Sequence, residues 1–201
     1  VYLERMIENL RTNRECGPFP ERLNALGFGV GREPLPALFA SYGAHVLATD
    51  HPDGISDWTE TNQHAASITD LLCGGICLPE DFQFRVQFAG VDMNNLQTLV
   101  SGSLKLTDYH PGICGGFDFT WSTGSFEHLG SIEAGLNFFT RQMAFLRPGG
   151  IAAHTTEYNF GSNDRTLEAH NIVLFRRCDL EELERRLAAK GDRLLALDLT
   201  R

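Results

Sequence analysis

The sequence predicts an open α/β domain, a doubly wound and mainly parallel sheet with helices on both faces. Three observations carry that reading. Leu26-Gly27-Phe28-Gly29-Val30-Gly31-Arg32-Glu33-Pro34 sets three glycines two apart, between a short apolar segment and a helical one. Without Cβ atoms the backbone there turns sharply and approaches a ligand closely, and the helix that follows aims unpaired N–H groups at the turn. The apolar run from Ala44 ends in Asp50, 21 positions after Gly29, where a second parallel strand would finish beside the turn and offer a carboxylate to a ribose diol. Phe117-Asp118-Phe119-Thr120-Trp121-Ser122 has the apolar character of a central strand covered on both faces.

Length and composition set the bounds. With 201 residues, 42% of them hydrophobic, the chain is long enough for a sizeable core, and no shift in composition marks a boundary, so one domain over 1–201 is expected. No apolar run reaches the roughly 18 residues of a membrane span and no leader pattern opens the chain, so a cytoplasmic protein with no membrane partner is expected. A formal charge of −9 opposes a nucleic-acid partner, because basic residues must displace the counterions of the phosphates. The five cysteines are an odd number without secretory context, and reduced thiols follow. Cys73-Gly-Gly-Ile-Cys77 has neither the spacing nor the second pair of a zinc knuckle, and no metal is expected.

In chain order, Tyr2, Met6, Ile7 and Leu10 give residues 1–11 a helical period, and 1–20 read as a leading helix and its lead-in. Arg22 to Leu26 is the first strand. The helix after the glycine turn carries Pro34 in its first turn, where a missing N–H costs little, and is expected to bury Leu35, Leu38, Phe39 and Tyr42 before Gly43 stops it. Ala44 to Thr49 is the second strand. His51-Pro52-Asp53-Gly54 reads as a turn, and Trp58 to Leu72 as a helix or lid in which Trp58 and Gln63 either pack down or cover an adenosine. Phe84-Arg85-Val86-Gln87-Phe88 alternates as a third strand with Asp92 and Met93 at its exit, and Leu99 to Gly115 reads as a connection. Beyond the fourth strand, residues 131–146 form a helix with Ile132, Leu136, Phe139 and Met143 buried and Glu133, Asn137 and Arg141 outside. Ile151 to Thr155 is a fifth strand. Asp179 opens a helix burying Leu180, Leu183 and Leu187 and ending at Gly191, and Leu194 to Leu199 is a sixth strand.

The form of the glycine run selects among nucleotides. A dinucleotide fold needs G-x-G-x-x-G, yet Arg32 stands in the third place counted from Gly27, and Pro34 counted from Gly29. G-x-G-x-G resembles motif I of the class I S-adenosylmethionine-dependent methyltransferases. Ser125-Phe126-Glu127-His128-Leu129 is similar to the Glu-His loop of that family's ubiquinone-biosynthesis-like subgroup, and Leu146-Arg147-Pro148-Gly149-Gly150 resembles its turn into the fifth strand. The resemblance covers roughly residues 20–156. One position departs: the family's acid two residues before the first glycine is Ala25 here, so the contact to the methionine end must come from elsewhere. The family's seventh, antiparallel strand has no counterpart, and a truncated chain or an early sheet end is expected.

The resemblance implies a Rossmann-like methyltransferase fold, S-adenosylmethionine as cofactor and S-adenosylhomocysteine as product. On the cofactor it places Gly27, Phe28, Gly29, Gly31, Asp50, Asp92, Met93, Ser122 and Glu127. Asp92 would accept from the adenine N6 with Met93 on the ring, or else cap the next helix. The acceptor is expected to be a small molecule, with residues 157–178 on the substrate side. Because an oxygen or nitrogen nucleophile must lose a proton, a base is needed, and His128, His154 and Glu157 are the candidates at the strand ends. Two other classes share parts of the pattern: a nicotinamide oxidoreductase, and a non-catalytic adenosylmethionine-binding subunit.

Overall fold

The computed structural model describes residues 23–53, 62–100, 116–169 and 171–195. The expected leading helix, Trp58, most of the 99–115 connection and most of the Leu194 to Leu199 strand lie outside them. The chain divides into two compact units, one drawn from Val1–Ser125 and Ala144–Thr155, the other from Phe126–Met143 and Thr156–Arg201.

The first unit is a five-stranded sheet of β1 (Asn24–Gly27), β2 (His45–Asp50), β3 (Val86–Gly90), β4 (Phe117–Thr123) and β5 (Leu146–Thr155), in the order β3-β2-β1-β4-β5. Every pairing is parallel, as the doubly wound expectation requires. The order reverses at β1, which lies between β2 and β4, and in open α/β sheets ligands bind beyond the carboxyl ends of the strands at such a point. All six residues of β2 and the first six of β4 are buried, the pattern of strands covered on both sides.

Helix α1 (Leu35–Ser41) packs against one sheet face, where Ala25, Val46, Ala48, Phe119 and Trp121 share a core with Ala37, Phe39 and Ala40. The Phe39 ring stands edge-on to both Phe119 and Trp121, with centroids 4.9 Å apart in each pair. The expected buried face is half corrected. Because α1 ends at Ser41, Tyr42 falls past its last turn and is 70% exposed, while the small Pro36, Ala37 and Ala40 make the close approach to the sheet. Gly43 does supply the left-handed stop, at φ +88°.

Two further expectations are corrected. Among the described residues of the 58–72 segment the only helical turn is a single 3-10 turn at Ile68–Leu71. Asp70 caps it by accepting the Ala66 and Ser67 N–H groups at 3.0 Å each. Phe84 and Arg85 belong to α2 (Pro79–Arg85), and β3 begins only at Val86. Pro79 in the first turn, with Glu80 and Asp81 beside it and Arg85 in the last, is a helix signature at both ends, and Arg85 also donates to the Gly43 carbonyl at 2.9 Å. Beyond β3 comes the short α3 (Gln97–Val100).

The second unit holds α4 (Ile132–Gln142), a two-residue hairpin of β6 (Glu168–Ala169) and β7 (Ile172–Val173), and α5 (Arg177–Ala189). Ser131 caps α4 by accepting the Ala134 N–H at 3.0 Å. Ile132, Leu136 and Phe139 are buried as expected, and Glu133, Asn137 and Arg141 are exposed. Met143 falls instead in the 3-10 turn that follows. Phe126 packs on Phe138, Phe139 and Phe175. Helix α5 starts before Asp179, whose carboxylate accepts both the Arg176 N–H and its guanidinium at 2.8 Å. It buries Leu180, Leu183 and Leu187 and stops before Gly191 at φ +87°.

The Leu146-Arg-Pro-Gly-Gly turn owes its shape to Asp118. Phe117 pairs with Leu146 but Phe119 with Ile151, so residues 147–150 loop out of the ladder. There Arg147 forms an ion pair with the buried Asp118, whose other oxygen accepts the Asn24 N–H at 2.7 Å. Three strands therefore meet on one carboxylate. Asp118→Ala should lower stability to chemical denaturation by about 1.5–3 kcal/mol, the worth of a hydrogen bond to a charged group, and Asp118→Asn, which keeps an acceptor, by less.

Candidate functional site

The glycine turn is fixed from both neighbouring strands. Phe28 N–H donates to the Trp121 carbonyl of β4 at 2.9 Å, Val30 N–H to the Thr49 carbonyl of β2 at 3.0 Å, and the Thr49 hydroxyl to the Gly27 carbonyl at 2.7 Å. Gly29 and Gly31 take φ of +54° and +51°, the left-handed region where a side chain is strained. A Cβ on Gly29 would lie 2.9 Å from the Ser125 Cβ and 3.1 Å from the Met93 sulfur, and one on Gly31 would lie 2.7 Å from the Gln63 carbonyl. Gly27 has a different reason: a Cβ there would collide with the Trp121 indole and Val30. The Phe28 side chain is wholly buried, its ring 6.2 Å from that of Phe145, which leaves only its backbone at the turn.

Asp50 ends β2 beside this turn, buried. One carboxylate oxygen accepts the His51 N–H at 2.8 Å, and the other accepts the Ala65 N–H at 2.9 Å and faces His64 Nδ1 at 3.2 Å. Arg32 holds the same stretch of chain, donating to the His64 carbonyl at 3.1 Å and pairing with Asp70 at 2.8 Å. Residues 63–65 thus lie against the glycine turn, with the Gln63 carbonyl 2.7 Å from where a Gly31 Cβ would stand. Met93 is buried over Gly29, and the half-buried Asp92 accepts the Asn94 N–H at 2.8 Å.

Ser122 and His154 are partners across β4 and β5, with Oγ and Nδ1 2.7 Å apart. Burial of the imidazole pushes its pKa down to about 3, so the ring is neutral.

In the second unit Glu127, His128 and Glu157 come together. Glu127 lies in a 3-10 turn (Phe126–His128), is 1% exposed, and has the backbone N–H groups of Glu127 and Glu157 as donors. Burial raises its pKa despite those donors. Glu157 itself is exposed. His128 Nδ1 bonds the Asn171 carbonyl. A carbonyl only accepts, so Nδ1 carries the proton and the ring's lone pair is on Nε2.

Sequence reasoning missed Glu33 and Ser125. The Glu33 carboxylate accepts the Trp121 indole N–H at 2.7 Å and bonds Thr123, and burial raises its pKa to about 7 against those donors, with Asp50 adding to the rise. Its signal was an acid directly after a glycine run whose usual acid is absent. Ser125 donates to the Gly29 carbonyl at 2.9 Å. Among the described residues, no group of three or more His, Cys, Asp or Glu is placed to hold a metal ion, and no helix is long and apolar enough to cross a membrane.

No family model matches the chain, and no curated protein does. Among solved structures it is similar to an S-adenosylmethionine-dependent methyltransferase from Clostridium acetobutylicum ATCC 824, at 12% identity over 92% of this chain and 76% of that one, with a TM-score of 0.53. It is similar to the glycopeptide N-methyltransferase MtfA at 13% identity, over 90% and 78%, with a TM-score of 0.52. It also resembles the Burkholderia thailandensis 1,6-didemethyltoxoflavin-N1-methyltransferase at 20% identity, over 82% and 59%, with a TM-score of 0.50. The chain spans less than two thirds of the length of some of these matches, 42% in the case of the CcbJ methyltransferase from Streptomyces caelestis. Identities this low establish a shared Rossmann-like fold.

Two half-buried residues of the first unit titrate with opposite consequences. His154, depressed to about 3 from 6.5, contributes stability that is present above pH 6.5 and lost as pH falls toward 3; Glu33, raised to about 7 from 4.5, contributes stability that is present below pH 4.5 and lost as pH rises through 7. Glu33→Gln removes only the second. Its melting temperature relative to wild type should therefore climb between pH 4.5 and pH 8, read by thermal scans at the two pH values.

Proposed function

We propose that this chain is an S-adenosylmethionine-dependent methyltransferase acting on an oxygen or nitrogen of a small polar acceptor. The observation that carries the reading is the pair of left-handed glycines at the strand-order reversal, with Asp50 ending the neighbouring strand. The likeness to solved methyltransferases supports it, one of them holding 1,6-didemethyltoxoflavin and S-adenosylhomocysteine.

The residues fit the cofactor. Asp50 Oδ1 accepts one backbone N–H, from His51, and has lone-pair capacity for a further donor such as a ribose hydroxyl, while Oδ2 accepts from Ala65 and faces His64. Met93 brings an apolar surface beside the turn for a purine, and Gly29 has no Cβ to project toward a ligand. Ser122 lies on the same strand as Trp121, beside His154. Glu127, the buried carboxyl of the second unit, is the remaining cofactor-side assignment.

When bound, the cofactor supplies a methyl carbon that is already electrophilic. What remains for the chain is to hold the acceptor in line, an effect worth about 7–11 kcal/mol in ideal cases, and to take its proton. His128 is the base of choice, since its bond to Asn171 sets the lone pair on Nε2. His154 ranks behind it: a ring held near pKa 3 is too weak a base at neutral pH. Glu157 ranks last, an exposed carboxylate whose backbone rather than side chain does the bonding.

Calorimetry should show adenosylmethionine binding in the micromolar range, about −8 kcal/mol, weakened by roughly 1.5–3 kcal/mol in Asp50→Ala; an unchanged affinity removes Asp50 from the site. On an acceptor found by screening sugars, phenols and amines for adenosylhomocysteine release, His128→Ala should lose about 10²–10⁴ in turnover and keep cofactor affinity, whereas Glu127→Ala should weaken the cofactor first. Full turnover in His128→Ala would pass the role to another group.

A further inference from the structure

We propose that Glu33 stands in for the acid missing at Ala25 and holds the α-ammonium of the cofactor's methionine end. The proposal rests on the adenosylmethionine reading above. Ala25 and Gly27 share one face of β1, and on that face the Trp121 indole fills the space a Gly27 side chain would need. A side chain on Gly27 would meet that indole, and Ala25 is buried opposite Phe119. The indole N–H binds Glu33 Oε1 at 2.7 Å, so the carboxylate enters from the residue just ahead of α1.

Its surroundings mark it as a receptor for a cation. Glu33 bonds Thr123 at the end of β4 and feels Asp50 at the end of β2, which sets it near the carboxyl ends of the two strands that flank β1. The neighbouring basic side chains are engaged elsewhere: Arg32 with Asp70 at 2.8 Å, His64 with Asp50 at 3.2 Å. An enclosed carboxylate whose nearest charged influence is a second carboxylate gains most from a ligand that brings positive charge. The roles then divide, Asp50 to the diol and Glu33 to the ammonium. Burial holds Glu33 near pH 7, so binding a cation at neutral pH must release a proton from it, and affinity must rise with pH up to that value.

The experiment is calorimetry at pH 5.5 and pH 7.0 with adenosylmethionine, adenosylhomocysteine and methylthioadenosine, which lacks the amino-acid end. This range stays below the titration of an α-amino group near 7.7–8.0. Wild type should bind the first two about tenfold more tightly at pH 7.0 than at 5.5, as expected for one group titrating near 7, and methylthioadenosine equally at both. Glu33→Gln, which keeps an acceptor for Trp121, should flatten that dependence and leave methylthioadenosine unchanged. If the variant keeps the wild-type pH slope, or loses methylthioadenosine as much as adenosylmethionine, the assignment is overturned. If no adenosine ligand binds wild type at all, the adenosylmethionine reading itself has failed.

Discussion

The turn after β1 is the constraint on which the first unit depends. A parallel sheet whose order reverses at a central strand leaves that strand's exit flanked by two neighbours that continue past it. Here both are used: the Phe28 N–H is tied to β4 and the Val30 N–H to β2, with the Thr49 hydroxyl closing on Gly27. A chain bonded on both sides within three residues can leave the sheet only through left-handed backbone, and Gly29 and Gly31 supply it. The same requirement brings Met93, Ser125 and Gln63 to the space the missing side chains leave. The exit of β3, the exit of β4 and the 63–65 stretch therefore converge on the turn at the two positions, Gly29 and Gly31, that have no side chains.

The 63–65 stretch gives that convergence a functional edge. The carboxylate that a ribose would seek already accepts a backbone N–H from Ala65, and Arg32 holds the adjoining His64 carbonyl. A ligand at Asp50 must therefore share the carboxylate with this stretch. Its anchoring at Asp70 through Arg32 makes sharing the less costly course, since displacement would also break an ion pair and a bond to the backbone.

Much of the frame was legible because its signals are local. A glycine run followed by an apolar strand ending in an acid needs no tertiary information, and neither does the six-residue buried run of β4. The failures came where two local signals competed. Phe84 to Phe88 alternates like a strand, but Pro79 and the acids after it start a helix whose last turn takes Phe84 and Arg85. Tyr42 has the right spacing for a buried face, yet the helix stops one residue before it. The site residues divide in the same way. Asp50 and the glycines could be read from spacing, and Ser122 with His154 from strand ends; Glu33 could not, because its importance comes from the Trp121 indole 88 positions away, which no local pattern records.

That long-range pair also depends on the glycine that ends β1. The face of β1 that carries Ala25 and Gly27 is packed by β4, with Ala25 opposite Phe119 and Gly27 opposite Trp121, and a Cβ on Gly27 would collide with the indole. Trp121 takes the space that a Gly27 side chain would need, but an indole brings an N–H that must be satisfied where it is buried. Glu33 satisfies it from the stretch between the glycine turn and α1. Gly27, Trp121 and Glu33 are thus one physical unit: a missing side chain, the ring that takes its space, and the carboxyl group that accepts from the ring. The enclosed acid is then left beside Asp50 with only neutral donors bonded to it, which is the condition under which a cationic ligand contributes most.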